Sequence, residues 1–126
     1  MHLNAFVYIG NIPSESLATW PNRVTDRVII TAERRIHYLE RHPEVEDLEY
    51  DLLEAIRNPE ELHLYPRDRT IANIYRQIDL RHDIVASVLI SHEHGIMNSV
   101  MTARISRRRD RESGLRRGTL LWRYQK

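Results

Sequence analysis

The stretch Asp83-Ile84-Val85-Ala86-Ser87-Val88-Leu89-Ile90-Ser91 decides the fold. It is apolar at odd and even positions alike, so a strand here has no side turned to water. Such a strand belongs in the middle of a sheet, and its sequence neighbours are its natural partners. Upstream, Thr70 to Ile78 alternates, with Ile74, Arg76 and Ile78 on one side and Asn73, Tyr75 and Gln77 on the other. Leu62-His63-Leu64-Tyr65 reads as a short strand before it, set off by the turn residues Pro66-Arg67-Asp68-Arg69. Downstream, Met97 to Ile105 places Met97, Met101, Ala103 and Ile105 on one face and Asn98, Val100, Thr102 and Arg104 on the other. Gly118 to Tyr124 offers a terminal strand behind an arginine-rich linker.

Two helices are expected ahead of these strands. Thr31 is a suitable N-cap, Glu33 sits near the positive end, and Ala32, Ile36 and Leu39 recur at the spacing of one buried stripe. Pro43 disfavours helical geometry at His42, which places that histidine at the helix end. A second helix runs from about Glu46 to Arg57 with Leu48, Leu52, Ala55 and Ile56 on its apolar face, and Asn58-Pro59 stops it. Nearer the N-terminus, Ala5 to Ile9 is an apolar run closed by Gly10-Asn11. Pro13 to Arg23 is loop-like, with Trp20-Pro21 over an edge of the core, and Val28-Ile29-Ile30 is a short strand. The reading is an α+β chain in which two N-terminal helices pack on an antiparallel meander. Residues 1–126 form one domain, with 1–28 an N-terminal extension carrying a short strand and 106–126 an Arg-rich C-terminal segment.

Composition narrows the chemistry. With no cysteine among 126 residues, disulfides, thiolate catalysis and cysteine-ligated metal sites are excluded. No apolar run approaches the roughly 20 residues of a membrane span. The N-terminus has no basic region followed by an apolar core and cleavage site, so a cytoplasmic location is expected. The net charge of +1 conceals an asymmetry. From Arg104 to Lys126 there are nine bases against two acids, and from Glu44 to Glu61 eight acids against one base. A basic block of that size points to a polyanion such as RNA, or to the acidic stretch of the chain itself.

The segment Glu33 to Glu44 carries His37 and His42 beside Arg34, Arg35 and Arg41. Histidine exchanges protons near neutral pH and arginine grips phosphate. Cleaving RNA without a metal needs a base for the 2′-hydroxyl proton, an acid for the leaving 5′-oxygen, and donors for the charged transition state. His42 or His37 supplies the proton transfer, Arg76 the phosphate grip and Thr102 a hydroxyl donor, provided the first helix crosses the sheet. His42 is the favoured catalyst, because His37 lies about 140° from Ala32 on a helical wheel. Tyr75 is a candidate for base stacking and Arg104, Arg107, Arg108 and Arg109 for RNA backbone contacts. His92 and His94 flank Glu93 where a hairpin turn is expected, and a polar turn is preferred there to a metal site, so no metal or cofactor is expected.

The succession ITAERRIHYLERHPE, AIRNPEEL, IYRQI and VMTARIS, spanning roughly Ile29 to Ile105, resembles the phage-type branch of the barnase–EndoU–colicin–RelE (BECR) nuclease superfamily. That resemblance implies a RelE- or barnase-like core, with helices ahead of a four-stranded or slightly larger antiparallel sheet. It also implies a metal-independent endoribonuclease cutting single-stranded RNA by 2′-hydroxyl attack, a toxin or phage effector. The matching positions are His37, His42, Pro59, Arg76, and Thr102 with Ala103. For a free toxin it implies an acidic antitoxin or immunity protein as partner. A non-catalytic RelE-like domain binding nucleic acid or a protein partner remains the alternative.

Overall fold

A computed structural model describes residues 5–20 and 22–125, so Pro21 and both extreme termini lie outside the described residues. The strands are β1 (Phe6–Asn11), β2 (Arg27–Thr31), β3 (Glu61–Leu64), β4 (Ile71–Gln77), β5 (His82–Leu89), β6 (Asn98–Arg107) and β7 (Leu120–Arg123). The helices are α1 (Ala32–Arg41), α2 (Glu49–Arg57) and α3 (Arg108–Arg117). All seven strands join one sheet in the order β1-β2-β6-β5-β4-β3-β7. Strand β5, buried on both faces along most of its length, is therefore its middle member.

The α+β expectation holds, and the expected pair of N-terminal helices on an antiparallel sheet of four or slightly more strands is corrected to a mixed sheet of seven strands with three helices among the described residues. The pairing of β2 with β6 is parallel, and every other neighbouring pair is antiparallel. β1 and β2 are built into one edge of the sheet. The arginine-rich linker is mostly the helix α3. Arginine, glutamate and leucine are good helix formers, Asp110 lies in the first turn, and Gly118 takes a positive φ just past the last turn.

Helices α1 and α2 cover one face of the sheet. Leu52, Ala55 and Ile56 of α2 meet Leu62, Ile74, Ile84, Ala86 and Ala103 in the core. The stripe expected on α1 shifts: Ile36 is exposed and Tyr38 is fully buried. A tyrosine can take that place because its hydroxyl has a buried-side partner, donating to Glu49 Oε2 at 3.4 Å. Burial, reinforced by Glu49, pushes the Tyr38 phenol up to about 12. Arg35 grips the same Glu49 through two nitrogens and ties α1 to α2. The second helix starts later than expected, because Pro43–Leu48 forms a 3-10 helix.

The faces of β6 also depart from simple alternation. Val88 pairs with Val100 but Ser87 pairs with Thr102, so Met101 is an extra residue in a bulge. Asn98 and Val100 consequently turn inward. Asn98 is wholly buried, accepting from Ser91 N at 2.8 Å and donating to the Thr25 carbonyl at 2.9 Å. No helix among the described residues is long and apolar enough to cross a membrane.

The Thr31 side chain accepts a hydrogen bond from Arg34 N at 3.2 Å and caps α1. Replacing Thr31 with Ala is expected to cost about 1 kcal/mol of stability in urea denaturation, with little change in the slope of the transition.

Candidate functional site

The register divides the polar residues between the two faces. Asn73, Ser87 and Thr102 stand in one cross-strand row, and Tyr75, Val85 and Arg104 in the next row on the same face. His63 pairs with Asn73 and Glu61 with Tyr75, so they share it too. This face is opposite the one covered by α1 and α2, because successive side chains on a strand alternate. Asp83 belongs to it and is fully buried at the start of β5.

Helix α3 closes over this second face through Arg111. Its Nε donates to Asp83 Oδ2 at 3.1 Å, its Nη2 donates to Asp83 Oδ1 and Glu60 Oε1, and its Nη1 lies 3.5 Å from Glu61 Oε2. The guanidinium also lies 5.7 Å from the centre of the Tyr75 ring. Arg108 approaches Asp83 at 3.4 Å and Arg123 approaches Glu61 at 3.4 Å. Burial pushes the Asp83 carboxyl up against the pull of Arg111. Three guanidinium groups thus answer three carboxylates where helix and sheet meet.

Beside this cluster lies an open cleft of about 510 Å³ between the sheet and α3. Arg104, Arg107, Arg109 and Arg117 line it against a single acid, Asp110. Among the described residues none of these four arginines makes an ion pair, in contrast to Arg108, Arg111 and Arg123. The floor holds Asn73, Tyr75, His63 and Thr119. His63 is 2% exposed and has a partner on each ring nitrogen: Glu61 Oε1 at 2.8 Å from Nε2 and Thr119 Oγ1 at 2.9 Å from Nδ1.

The residues named from the sequence fall into separate groups. Tyr75, Arg104, Arg107 and Arg109 meet in the cleft, and Thr102 lies on the same sheet face. Tyr75 is only 7% exposed, its ring held by Arg111 and edge-on by His63 at 4.9 Å, which leaves little surface for a base. Arg108 turns to Asp83. Arg76 pairs across the sheet with Ile84 and Ile105, on the opposite face from Thr102, and its Nη1 donates to the Asn58 carbonyl at 2.7 Å. His37 is exposed on α1, and His42 is that helix's C-cap with Nδ1 3.7 Å from Glu44 Oε1. Helix α1 packs on the far side from Thr102, so His37, His42, Arg76 and Thr102 are not assembled into one constellation. His92 and His94 are exposed. Among the described residues no three His, Cys, Asp or Glu side chains are grouped as metal ligands.

Sequence reasoning passed over Glu61, His63, Arg111 and Thr119. Glu61-x-His63 on a strand was a usable signal, since alternate residues share a face. The contribution of Thr119, 56 residues further along, depends on the β3–β7 pairing and carries no local signature. No family model matches this chain, and neither a curated protein nor a solved structure matches it.

Two outcomes follow from this geometry. Replacing Arg111 with Ala leaves Asp83 buried without its main partner, and a loss of about 3–5 kcal/mol is expected in denaturant unfolding. Burial holds the His63 imidazole below its ordinary value of 6.5, with Arg111 and Arg123 pulling the same way and Glu61 opposing. Below that pH the unfolded chain binds a proton that the folded chain refuses. Stability should therefore fall as pH drops from about 6.5, and His63→Gln should remove that part of the slope in unfolding curves measured across the range.

Proposed function

We propose that the protein binds single-stranded RNA in the arginine-lined cleft between the sheet and α3. The observation that carries this reading is the sorting of arginines. Those that touch carboxylates build the fold, and the four without ion pairs among the described residues gather on one concave surface. Guanidinium groups suit phosphate because their donors match two oxygens at once. An extended strand, with its phosphates accessible on all sides, suits a groove on a sheet face better than a rigid duplex does. The resemblance of the helix and strand motifs to BECR nucleases points to the same substrate.

A second reading, metal-independent cleavage of that RNA, is favoured by one observation: a histidine bonded to a carboxylate and a hydroxyl lies at the floor of the same cleft. This moves the chemistry from His42 and His37, on the covered side, to the open face. An acidic antitoxin or immunity protein would compete with RNA for the same arginines.

Arg104→Ala and Arg109→Ala are each expected to weaken binding of a generic single-stranded RNA roughly tenfold in fluorescence anisotropy. Each should also reduce the slope of log affinity against log salt by about 0.7. His42→Ala should leave affinity unchanged. Equal affinity in the wild type and both arginine variants would overturn the proposal.

A further inference from the structure

We propose that the free edge of β1 pairs with β1 of a second copy of this chain, around a twofold axis at Val7. The proposal is independent of the RNA reading, because no residue of β1 or β2 lines the arginine cleft.

Hydrogen-bond parity along the strand defines the open edge. β1 is the outermost member of the sheet, with β2 on one side and no described strand on the other. Ala32 N donates to the Ala5 carbonyl at 2.8 Å, and the register continues Phe6 with Thr31, Val7 with Ile30 and Tyr8 with Ile29. Bonded and non-bonded pairs alternate in an antiparallel ladder. Ala5 and Val7 therefore turn their backbone groups to β2, and Phe6 and Tyr8 turn theirs outward. Past Tyr8 the strand bulges, and Arg57 Nε donates to the Ile9 carbonyl at 2.8 Å, which closes the edge there. What remains is a window centred on Val7, with the N–H and C=O of Phe6 and of Tyr8 facing out. Natural edge strands ordinarily carry lysine, proline or other charge against such pairing, or a bulge. The bulge here shields only the second half of β1. Its first half carries no charge and no proline, and Phe6, Val7 and Tyr8 are 54%, 66% and 52% exposed.

The occupant follows from the symmetry of that window. In an antiparallel pair centred on Val7, Phe6 meets the partner's Tyr8 and Tyr8 meets the partner's Phe6. Both are bonded pairs, so every outward backbone group of the window finds its complement on an identical strand. The pattern aromatic, valine, aromatic reads the same from either end. Phe6 and Tyr8 project to one face, where each stands beside an aromatic ring of the second copy. Val7 projects to the other face and meets the partner's Val7 at the axis, beside an apolar pocket of about 360 Å³ that it lines with Leu52 and Leu53. No charge lies in the window to repel a copy. Pairing of like edges closes after two chains, whereas β1 on β7 would propagate without end. Area sets the strength. With about 150–250 Å² for an aromatic side chain, covering the exposed parts of these three residues on both copies removes on the order of 600 Å². Stable dimers bury about 1,200–2,000 Å². The pair is therefore a weak one, with a dissociation constant on the order of 10–100 μM.

The test uses the full chain in sedimentation equilibrium from about 5 to 500 μM, a range that brackets the expected constant. The wild type should pass from one chain to two across it. Val7→Lys and Val7→Glu, with unfolding midpoints close to the wild type, should each stay monomeric, because like charges then meet at the axis. An equimolar mixture of those two variants should dimerise again, since lysine faces glutamate only if residue 7 meets residue 7. A non-bonded antiparallel pair holds its Cα atoms about 4.5 Å apart, within reach of a disulfide. The chain has no cysteine, so Val7→Cys should give one disulfide-linked dimer on mild oxidation. It should form at least about tenfold faster than from Leu80→Cys, a position 89% exposed in the turn between β4 and β5 and remote from this edge. A wild type that stays monomeric throughout overturns the proposal. So does a dimer that survives Val7→Lys, assembly beyond two chains, or Val7→Cys linking no faster than Leu80→Cys.

Discussion

The buried pairing of Arg111 with Asp83 is the contact on which the second face of the sheet depends. Asp83 sits at the head of the central strand with no exposure, and a lone carboxylate there would cost several kcal/mol in lost hydration. The guanidinium repays that cost only because its geometry is filled: two bonds to Asp83, one to Glu60 and a close approach to Glu61. Its position fixes α3 against β3, β4 and β5 at once. The cleft exists because a helix that could have lain in solvent is held at one end by this charge and joined at the other to β7.

The same cluster explains why the remaining arginines are available. Glu60 and Glu61, which end the acidic stretch of the chain, are taken up by Arg111 and Arg123. Asp83 takes Arg108 as well. The acids of α2 sit on the far side of the sheet and cannot reach the cleft. A chain whose formal charges nearly cancel therefore presents a surface where they do not. Long-range attraction of a polyanion depends on that local excess and not on the net charge.

What was legible in the sequence was periodicity. The doubly apolar run at Asp83 to Ser91 fixed the middle of the sheet, and the Thr31 cap with Pro43 bounded α1 closely. What was not legible was register. Whether Arg76 and Thr102 share a face depends on how two strands are aligned through a third, and a single bulge at Met101 reverses the parity beyond it. Ile36 looked as good a core residue as Tyr38 because periodicity ignores the Glu49 that makes a buried phenol acceptable. The arginine run hid a helix because what anchors it to the sheet is a buried charged residue, Arg111, which no hydrophobic pattern marks. Thr119 acquires meaning only from β3, on the other side of a 56-residue separation.

The two faces of the sheet consequently do different work. On the α1–α2 side the rows are mainly aliphatic, with Arg76 at one end, and hydrophobic burial there supplies the bulk of the stability. On the α3 side the rows run through Glu61, His63, Asn73, Ser87, Thr102 and Arg104, with Val85 as the aliphatic residue between them. Polar side chains packed that densely on a central sheet are destabilising unless each finds a partner, and several do so only pairwise, as Ser87 does with Asn73. A core built for stability alone would have placed aliphatic residues at those positions, as it did on the other side. His42 and His37 stand at a helix end and a helix surface that owe nothing to this arrangement. The weight of the functional reading therefore moves from the histidines of α1 to the one histidine that the sheet, α3 and β7 jointly enclose.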